Sequence, residues 1–548
     1  MDSFEERFAF SLNLDQAKSD EDRLKTCIDQ LFKKPIIIED TRSTNNAVMF
    51  GAMARTAMSN MDYKPATNFC TKGLQEIVPY CELSAMLYSN RAKALGCLKM
   101  YEESLIDIDR AIEISPNTEL TKNFKDIKME LEKKAPRPNT KPNNRDHFED
   151  IPSLSHDENK DISGMSDAVR LVHCTKYGVN FEAAKPIGTG DVILIEKPQV
   201  TSILEPNIVV ANVCHYCLKR YRALLPCEQC NSALYCSKEC RAKAYEEYHR
   251  IQCNSKNFPN DVQLVINLFM KITENGEKLT EAIKYCEELD TMSADPNKEF
   301  CTIRDNLGDN LKSVLNLSIS MKKNDKKNEK NIMKSTHIAS FLRNQTTYVQ
   351  GYNDILSIAK LLFRLFYIFD VHVFMEDISV DAESISGVYN LYSLLSLVRH
   401  SCCANTVYSI HKNGVIAVRA AKDMKPGEQI TFNFLRTSKY TTFVIEYLPR
   451  HIILWEEKRI LCNCAACEWN YDFKAELSKK LKITKELERR LRRKRFDIDG
   501  LWELLKVINN VKSRPCLEAE LLKAILPDIY LGKRDTLLDD LYRLIGIS

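Results

Sequence analysis

Two groups of cysteines have the number and spacing needed to bind metal ions. The first runs CxxC, CxxC, CxxxC and HxxxC, and it comprises Cys214, Cys217, Cys227, Cys230, Cys236, Cys240, His249 and Cys253. Seven thiols and one imidazole make two sets of four, which is the number that tetrahedral zinc requires. These ligands would also stabilise a segment too short to bury a hydrophobic core of its own. The sequence therefore predicts that residues 214–253 fold around zinc.

The second group is a CxCxxC run formed by Cys462, Cys464 and Cys467. Three clustered thiols lack a fourth ligand, and Cys402 supplies one from the polar run Arg399–Asn405. Cys403 is an alternative ligand. The other cysteines are scattered singly along the chain, as expected of small buried apolar residues in a reducing compartment.

Length and charge limit the kinds of function. The chain has 548 residues and a formal net charge of +3, so we expect several domains and no strong overall field for nucleic acid or membranes. The start Met-Asp-Ser-Phe-Glu-Glu lacks the pattern of a signal peptide, and no apolar run reaches the length of a membrane span. The predicted location is the cytoplasm, the nucleus or both, without membrane association.

Paired helical patterns fill the first part of the chain. The predicted pairs are 47–60 with 63–78, and 84–99 with 101–114. They align at Tyr63 and Tyr101 and resemble tetratricopeptide repeats (TPR), which bind protein partners on a concave face. Some of these repeats clamp a C-terminal carboxylate with Lys and Asn side chains. Here Gly51 and Arg55 align with two of those positions and do not match them, whereas Asn90 matches. An ordinary bundle of helical hairpins is the alternative.

The later segments alternate between polar and apolar patterns. Residues 135–164 are poor in apolar residues and predict a mobile linker. Two strands joined by a glycine turn follow near Gly178–Glu196. Helical periodicity then covers Asn254–Leu315 and Ile338–Phe374, with extended character near the end of the second range. Ser320–Lys334 predicts a polar loop, with a nuclear localisation signal as the minor alternative. Helices return after residue 473, including a strongly basic one around Arg489–Arg495.

The ligand order in 214–253 resembles a MYND zinc finger. The resemblance implies interleaved sites, with one zinc held by Cys214, Cys217, Cys236 and Cys240 and the other by Cys227, Cys230, His249 and Cys253. MYND fingers usually bind Pro-rich peptides and have no catalytic role. A nucleic-acid finger is the weaker alternative, because several basic residues lie among the ligands: Arg220, Arg222, Lys238, Arg241 and Lys243.

The run Arg-His-Ser-Cys-Cys-Ala-Asn at 399–405 resembles the Asn-His-Ser-Cys-x-Pro-Asn signature of SET-domain methyltransferases. With the finger and the CxCxxC run, the chain is similar to the repeat-bearing subgroup of the SET- and MYND-domain-containing (SMYD) family. The implied fold is α+β, with a β-rich SET core, an inserted MYND finger and helical insert, and flanking TPR-like and C-terminal helices. The implied segments are 1–43, TPR-like 44–134, linker 135–165, SET 166–213, MYND 214–253, insert 254–363, SET core 364–440, post-SET 441–472 and C-terminal helices 473–548.

The resemblance implies transfer of a methyl group from S-adenosylmethionine to a protein lysine. It also implies a third zinc ion, bound by Cys402, Cys462, Cys464 and Cys467. In the family an Asn-His pair holds the cofactor, and a tyrosine lines the methyl-transfer channel. The matching positions are Phe434 at the catalytic tyrosine, and Gly178, Asn180, His372, Arg399, His400 and Ile460 around the cofactor.

Some of these positions depart from the family pattern. Arg399 stands in place of Asn, Ala404 in place of Pro and Phe434 in place of Tyr, while His372 aligns loosely with a second Asn. Two hypotheses follow. The first is a monomeric protein-lysine methyltransferase of reduced or altered activity. The second is a zinc-stabilised scaffold that binds peptides through the finger and the repeats, in transcriptional or chaperone-linked regulation. Sequence-specific nucleic-acid binding is not expected.

Overall fold

The computed structural model describes most of the chain. The described residues are 19–31, 42–115, 118–135, 151–174, 178–203, 212–219, 221–253, 258–292, 296–318, 329–347, 349, 351–379, 385–435, 447–458, 460–468, 483–493, 497–511, 516–530, 538 and 541–542. Within them helices predominate and the strands are short. The α+β class expected from the sequence is confirmed.

The first described helix belongs to the middle of the molecule. Helix α1 (Asp20–Leu31) buries Leu24, Cys27 and Ile28 in the core of the helices that follow the finger. Glu21 also forms an ion pair with Lys360, at 3.0 Å. The N-terminal region therefore contributes to a core whose other members all lie at residue 200 or later in the chain.

Five antiparallel-paired helices follow: α2 (Thr44–Ser59), α3 (Tyr63–Gln75), α4 (Glu82–Cys97), α5 (Tyr101–Ile114) and α6 (Thr118–Lys134). We call α2–α6 the array. Small residues let α2 approach its neighbours, since its buried positions are Ala47, Gly51, Ala54 and Ala57. Helices α2 and α4 end in the same turn, with Met61 and Lys99 at positive φ (60° and 62°). The two turns are separated by the same number of residues as Tyr63 and Tyr101.

In sequence, a first set of strands lies between the array and the finger. Its hairpin is formed by β5 (Leu225–Pro226) and β6 (Leu234–Tyr235), which pair antiparallel. Helix α7 (Lys238–Ala244) continues through a π turn at Tyr245–His249 into α8 (Arg250–Gln252). Ser237 caps α7 by accepting a hydrogen bond from the Cys240 amide, at 3.1 Å. The cap fixes the turn on which two of the predicted ligands lie.

A bundle of helices forms the largest apolar core among the described residues, and the finger shares this core. Its members are α9 (Asn260–Ile272), α10 (Leu279–Thr291), α12 (Asn310–Leu315), α13 (Glu329–Gln345) and α14 (Tyr352–His372), whereas α11 (Pro296–Asp305) packs against strands outside this core. Two expectations were wrong here. Residues 329–334 are helical rather than a loop, because Ile332 is fully buried in the bundle. The chain also stays helical through His372, because apolar contacts continue to that point.

The strands form several small sheets. Strand β3 (Val192–Glu196) pairs with β11 (Ile416–Ala420), which pairs with β10 (Thr406–Ile410). The other strands are β1 (Val169–Cys174), β2 (Gly178–Ala183), β4 (Val200–Ile203), β7 (Phe374–Ser379), β8 (Ile385–Leu391), β9 (Arg399–His400) and β12 (Thr431–Phe432). Strands β9 and β12 pair in parallel. This parallel pair brings the Arg399–Asn405 run against the segment that carries Phe434.

Part of the predicted linker is packed against the strands. The amide of Ser155 donates to the carbonyl of Val192 (3.1 Å), and the amide of Ile195 donates to the carbonyl of Gly164 (2.7 Å). Ile162 and Met165 are buried in the same core as β3. The expectation of a mobile linker was therefore wrong for residues 151–164, since backbone pairing and two apolar side chains fix them; residues 136–150 lie outside the described part.

The C-terminal helices form a second core around the CxCxxC run. They are α15 (Tyr447–Lys458), α16 (Ala465–Glu468), α17 (Lys485–Arg493), α18 (Ile498–Val511) and α19 (Leu517–Tyr530). On the basic helix α17, Arg490 contacts Asp497 and Glu503, and Arg492 contacts Glu488. Its charges are thus partly neutralised within the chain. Among the described helices, none has the length and apolar character required to cross a membrane.

A buried carboxylate supports the chain before the Arg399–Asn405 run. Glu196 accepts hydrogen bonds from the amides of Leu394 (2.8 Å) and Leu395 (2.9 Å). Burial raises the pKa of Glu196 to about 7, although these amides oppose the rise. The carboxylate faces backbone donors rather than a cleft, so its role is structural.

Replacing Glu196 by alanine is expected to lower the free energy of unfolding by about 3 kcal/mol, because two buried amides lose their acceptor. Denaturant unfolding of the full chain measures this. The matched control is Glu281→Ala, which removes a partly exposed carboxylate 3.5 Å from Lys312 and should change stability by about 0.5 kcal/mol or less. Equal effects of the two variants would contradict a supporting role for Glu196.

Candidate metal centres and cleft

The finger brings its eight predicted ligands into two groups. In one, Cys214, Cys217, Cys236 and Cys240 have their sulfur atoms within 4.8 Å of one another, and in the other Cys227, Cys230, His249 and Cys253 do the same with their ligand atoms. The grouping is interleaved along the chain, since the ligands of the second group lie on both sides of Cys236 and Cys240 in sequence. The sulfur of Cys236 lies 3.6 Å from those of Cys217 and Cys240.

The histidine of the second group is oriented by a neighbouring amide. The Nε2 atom of His249 lies 3.3 Å from the sulfur of Cys227 and 3.5 Å from that of Cys230. Its Nδ1 atom lies 3.1 Å from Gln252 Oε1, and the amide oxygen can only accept, so Nδ1 carries the proton. A lone pair is therefore left on Nε2, as a metal ligand needs.

A third group forms where the CxCxxC run meets the Arg399–Asn405 run. It contains Cys402, Cys462, Cys464 and Cys467 within the same 4.8 Å limit. The sulfur of Cys402 lies 3.6 Å from that of Cys467 and 3.9 Å from that of Cys462. Cys403, the alternative ligand, is outside this group, although its thiol contacts that of Cys464 and lies 3.6 Å from the hydroxyl of Ser401.

The distances suit zinc and exclude disulfides. A tetrahedron of Zn–S bonds of about 2.3 Å places its sulfurs about 3.8 Å apart, whereas a disulfide requires about 2.05 Å. The sulfur pairs given above, at 3.6–3.9 Å, match the tetrahedral edge. Thiolate and imidazole donors also favour zinc over the harder cations. The clusters therefore have zinc-binding chemistry.

A cleft of about 520 Å³ lies beside the third group. Strand β2, helices α11 and α14, and the segments around β9, Phe434 and Cys462 all contribute to its wall. The wall includes most of the residues expected at the cofactor and catalytic positions, namely Gly178, His372, Arg399, His400, Phe434 and Ile460. Its volume is in the range typical of sites for small organic ligands.

His400 connects the third thiol group to Phe434. Its Nδ1 accepts from the amide of Phe434 (3.2 Å), so Nε2 carries the proton and donates to the sulfur of Cys402 (3.5 Å). The two rings lie 6.2 Å apart and tilted. Because both nitrogens of His400 have partners within the chain, this ring orients Cys402 and Phe434 and has no nitrogen left for a ligand.

Arg399 and His372 form two polar parts of the cleft wall. The guanidinium of Arg399 donates to Asn463 Oδ1, at 2.5 Å. The Nε2 atom of His372 lies 3.1 Å from the carbonyl of Leu317, so it donates and Nδ1 keeps its lone pair. Burial lowers the pKa of His372 to about 4, which keeps the ring neutral. The cleft thus carries one fixed positive charge beside a neutral acceptor.

Two of the residues singled out in the sequence do not line the cleft. Asn180 is buried in β2, and its side-chain amide donates to the carbonyl of Gly178, at 3.1 Å. Its predicted position at the cofactor stays a prediction, since the side chain bonds to the backbone of a residue that does line the cleft. Asn405 bonds with Gln429 and Thr431 across the β9–β12 pair. It holds the two runs together.

Sequence reasoning missed four polar residues of the wall, Glu299, Asn316, Ser396 and Asn463. Glu299 comes from α11, and burial raises the pKa of its carboxyl. No motif surrounds Glu299 or Asn316. Among these residues, Asn463 was the one whose position in the sequence gave a signal, because it lies between the predicted metal ligands Cys462 and Cys464. Their part in the cleft depends on how the helical bundle packs against β2.

Comparison with known proteins gives matches to the finger and to longer segments. A family model described as the MYND finger matches residues 214–253. Protein-lysine N-methyltransferase SMYD4 of Pongo abelii is 25% identical over 324 residues, covering 46% of this chain and 40% of that protein. The Mus musculus protein of the same name is 28% identical over 183 residues (29% and 23%). N-lysine methyltransferase SMYD2 of Homo sapiens is 23% identical over 301 residues (53% and 58%).

The finger and the thiol clusters define a zinc-binding protein whose helix-rich α+β fold carries a MYND finger. Over about half of its length the chain is similar to proteins of the SET- and MYND-domain-containing (SMYD) family. It spans less than half the length of the SMYD4 relatives it matches.

Proposed function

We propose that this chain is a protein-lysine N-methyltransferase that uses S-adenosylmethionine. One observation carries the proposal: the cleft gathers most of the expected cofactor and catalytic positions from segments more than 200 residues apart. The strands of 166–213 and 364–440 would form its SET core, and the array would be its TPR-like part. The cytoplasm and the nucleus are the proposed locations.

The proposed cofactor fits the cleft in size and in several of its polar groups. His372 offers a lone pair and Glu299 a carboxyl group to the polar groups of the ligand, whereas the amide of Asn316 is bonded to Tyr285 and Thr302. Gly178 has φ +72° and no atom within 4 Å of an added Cβ, so a ligand can approach its backbone. Bound S-adenosylmethionine supplies an activated methyl group. Arg399 is the misfit, since its guanidinium would repel a positively charged sulfonium.

The residues of this chain would serve the reaction by position. A target lysine must be neutral to act as a nucleophile, and its usual pKa near 10.4 makes an apolar approach useful. The ring of Phe434 supplies such a surface at the wall of the cleft, and the fully buried ring of Phe432 packs behind it at 5.0 Å. Phe434 provides no hydroxyl, so orientation of the lysine would depend on shape and backbone groups. We propose three zinc ions that hold the finger and the cleft wall in place.

A zinc-stabilised scaffold without catalysis is the second candidate. Arg399 and the ring of Phe434 favour it, because each replaces a polar group expected at a working site. In this candidate the cleft would be a remnant, and peptides would bind through the finger and the array. S-adenosylmethionine affinity separates the two candidates.

Replacing Arg399 by asparagine is expected to tighten S-adenosylmethionine binding by about tenfold, because it removes one positive charge facing the sulfonium. Isothermal titration of the zinc-loaded full chain measures the affinity, with S-adenosylhomocysteine, which lacks that charge, as the matched ligand. The substitution should change the affinity for S-adenosylhomocysteine much less, because the sulfur of that product carries no charge.

Low-micromolar affinity of the wild-type chain for S-adenosylmethionine would contradict the charge argument while supporting the enzyme. Absence of binding by both wild type and Arg399→Asn, with zinc present, would contradict the methyltransferase and leave the scaffold.

A further inference from the structure

The array and the finger meet along a seam built from buried polar groups. The finger segment Arg222–Pro226 lies against α4 and α5, although more than 100 residues separate the two in sequence. The contacts on this segment go to its backbone as well as to one apolar side chain. Such contacts are those with which a protein holds an extended peptide.

Carbonyls of the segment are bound by two arginines of the array. The guanidinium of Arg91 donates to the carbonyl of Leu224 (2.8 Å), and that of Arg110 donates to the carbonyl of Ala223 (2.6 Å). Both arginines contact Asp107, at 2.6 and 2.9 Å. Arg91 is fully buried. Asp107 neutralises its charge, and the guanidinium donates a hydrogen bond to the backbone of the finger.

Amides of the same segment are bound by a carboxylate. Glu103 Oε2 accepts from the amides of Arg222 (2.6 Å) and Ala223 (3.0 Å). Glu103 lies in the first turn of α5, and both of these bonds reach across the seam. Its contribution is therefore to the seam rather than to the array itself.

The apolar anchor is Leu225. It belongs to the apolar core of the array, with Leu74, Leu87 and Tyr88, rather than to that of the finger. At the edge of the seam, Gln75 donates to the carbonyl of Asn231 (2.7 Å) and the hydroxyl of Tyr80 donates to Glu228 (2.6 Å). Tyr80 has φ +67°, a conformation that a bulky residue rarely adopts.

We propose that the array recognises the finger as an internal peptide ligand, with Arg222–Pro226 as the bound strand and Leu225 as its anchor. Zinc binding by the finger should then also protect the amides of α4 and α5 from exchange, because the two events are thermodynamically coupled. It follows that these array residues are occupied within the chain and do not serve an outside peptide while the finger is folded. The proposal is independent of methyltransferase activity.

The test uses the zinc-loaded full chain and the variant Glu103→Ala. Cysteine alkylation, followed by peptide mass analysis, gives a labelling rate for each cluster separately. We expect the cysteines of 214–253 to be labelled about tenfold faster or more in the variant, because two finger amides lose their acceptor. The cysteines at 402 and 462–467 serve as an internal control and should keep their rate.

Glu113→Gln is the matched variant across the same seam. Glu113 pairs with Lys238 of the finger at 3.0 Å, but both side chains are mostly exposed, so its labelling rates should be those of wild type. As a second measurement, removal of zinc from the wild-type chain should accelerate amide exchange in α4 and α5. Unchanged finger labelling in Glu103→Ala, or zinc removal that leaves α4 and α5 protected, would overturn the proposal.

Discussion

Replacing Cys402 by serine is expected to remove one zinc ion per chain and to weaken S-adenosylmethionine binding by at least about tenfold. The reason is that Cys402 joins the Arg399–Asn405 run to the CxCxxC run, and both line the cleft. A structural zinc contributes on the order of 10 kcal/mol to the fold of its site. Without it, Ile460 and Asn463 lose their fixed position opposite β9.

Metal analysis and titration of the same preparation measure the two effects. The matched control is Cys403→Ser, one residue away, because Cys403 is outside the thiol group. It should keep the zinc content of wild type. Loss of zinc from Cys403→Ser and not from Cys402→Ser would reverse the ligand assignment. Fewer than two zinc ions in the wild-type chain would contradict the finger sites as well.

Replacing Phe434 by tyrosine is expected to increase lysine methylation by about tenfold or more. Removal of one oriented polar donor from an active site typically lowers the rate about 10²–10³-fold, and Phe434→Tyr supplies such a group at the wall of the cleft. The ring of Phe434 packs against that of Phe432, with 5.0 Å between the ring centroids. The backbone amide of Phe434 donates a hydrogen bond to Nδ1 of His400. The new hydroxyl is therefore attached to an already positioned ring.

Methyl transfer to a mixed lysine-peptide library, followed by mass spectrometry, measures the change. Phe434→Leu is the control, since it alters the ring without adding a hydroxyl, and should not increase the rate. If Phe434→Tyr binds S-adenosylmethionine and still transfers no methyl group, the chain is a scaffold, and the seam between finger and array becomes its main functional feature.

Corrections to the sequence predictions share one cause, which is tertiary packing. Residues 151–164 lack apolar periodicity, yet β3 supplies backbone partners that fix them. Residues 329–334 have the composition of a polar loop, yet Ile332 is buried among the helices that follow the finger. Local composition reports neither set of partners, because both lie in other segments of the fold.

The seam between finger and array was outside the reach of sequence reasoning for a similar reason. Glu103 and Arg110 are charged residues on a helix, a pattern that normally indicates a solvated face. Only the approach of Arg222–Pro226 gives them their role. The same applies to Glu299, which becomes part of a cleft when α11 packs beside β2.

By itself the sequence determined the zinc chemistry, because ligand type and spacing are local properties that few other structures require. It also determined the paired helices of the array, through small residues and repeated turns. The tertiary structure alone decided that His400 is committed to Cys402 and Phe434, that Arg399 faces the cleft beside Asn463, and that the array holds the finger. These are contacts between distant segments, and their geometry depends on how the cores pack rather than on any one stretch of residues.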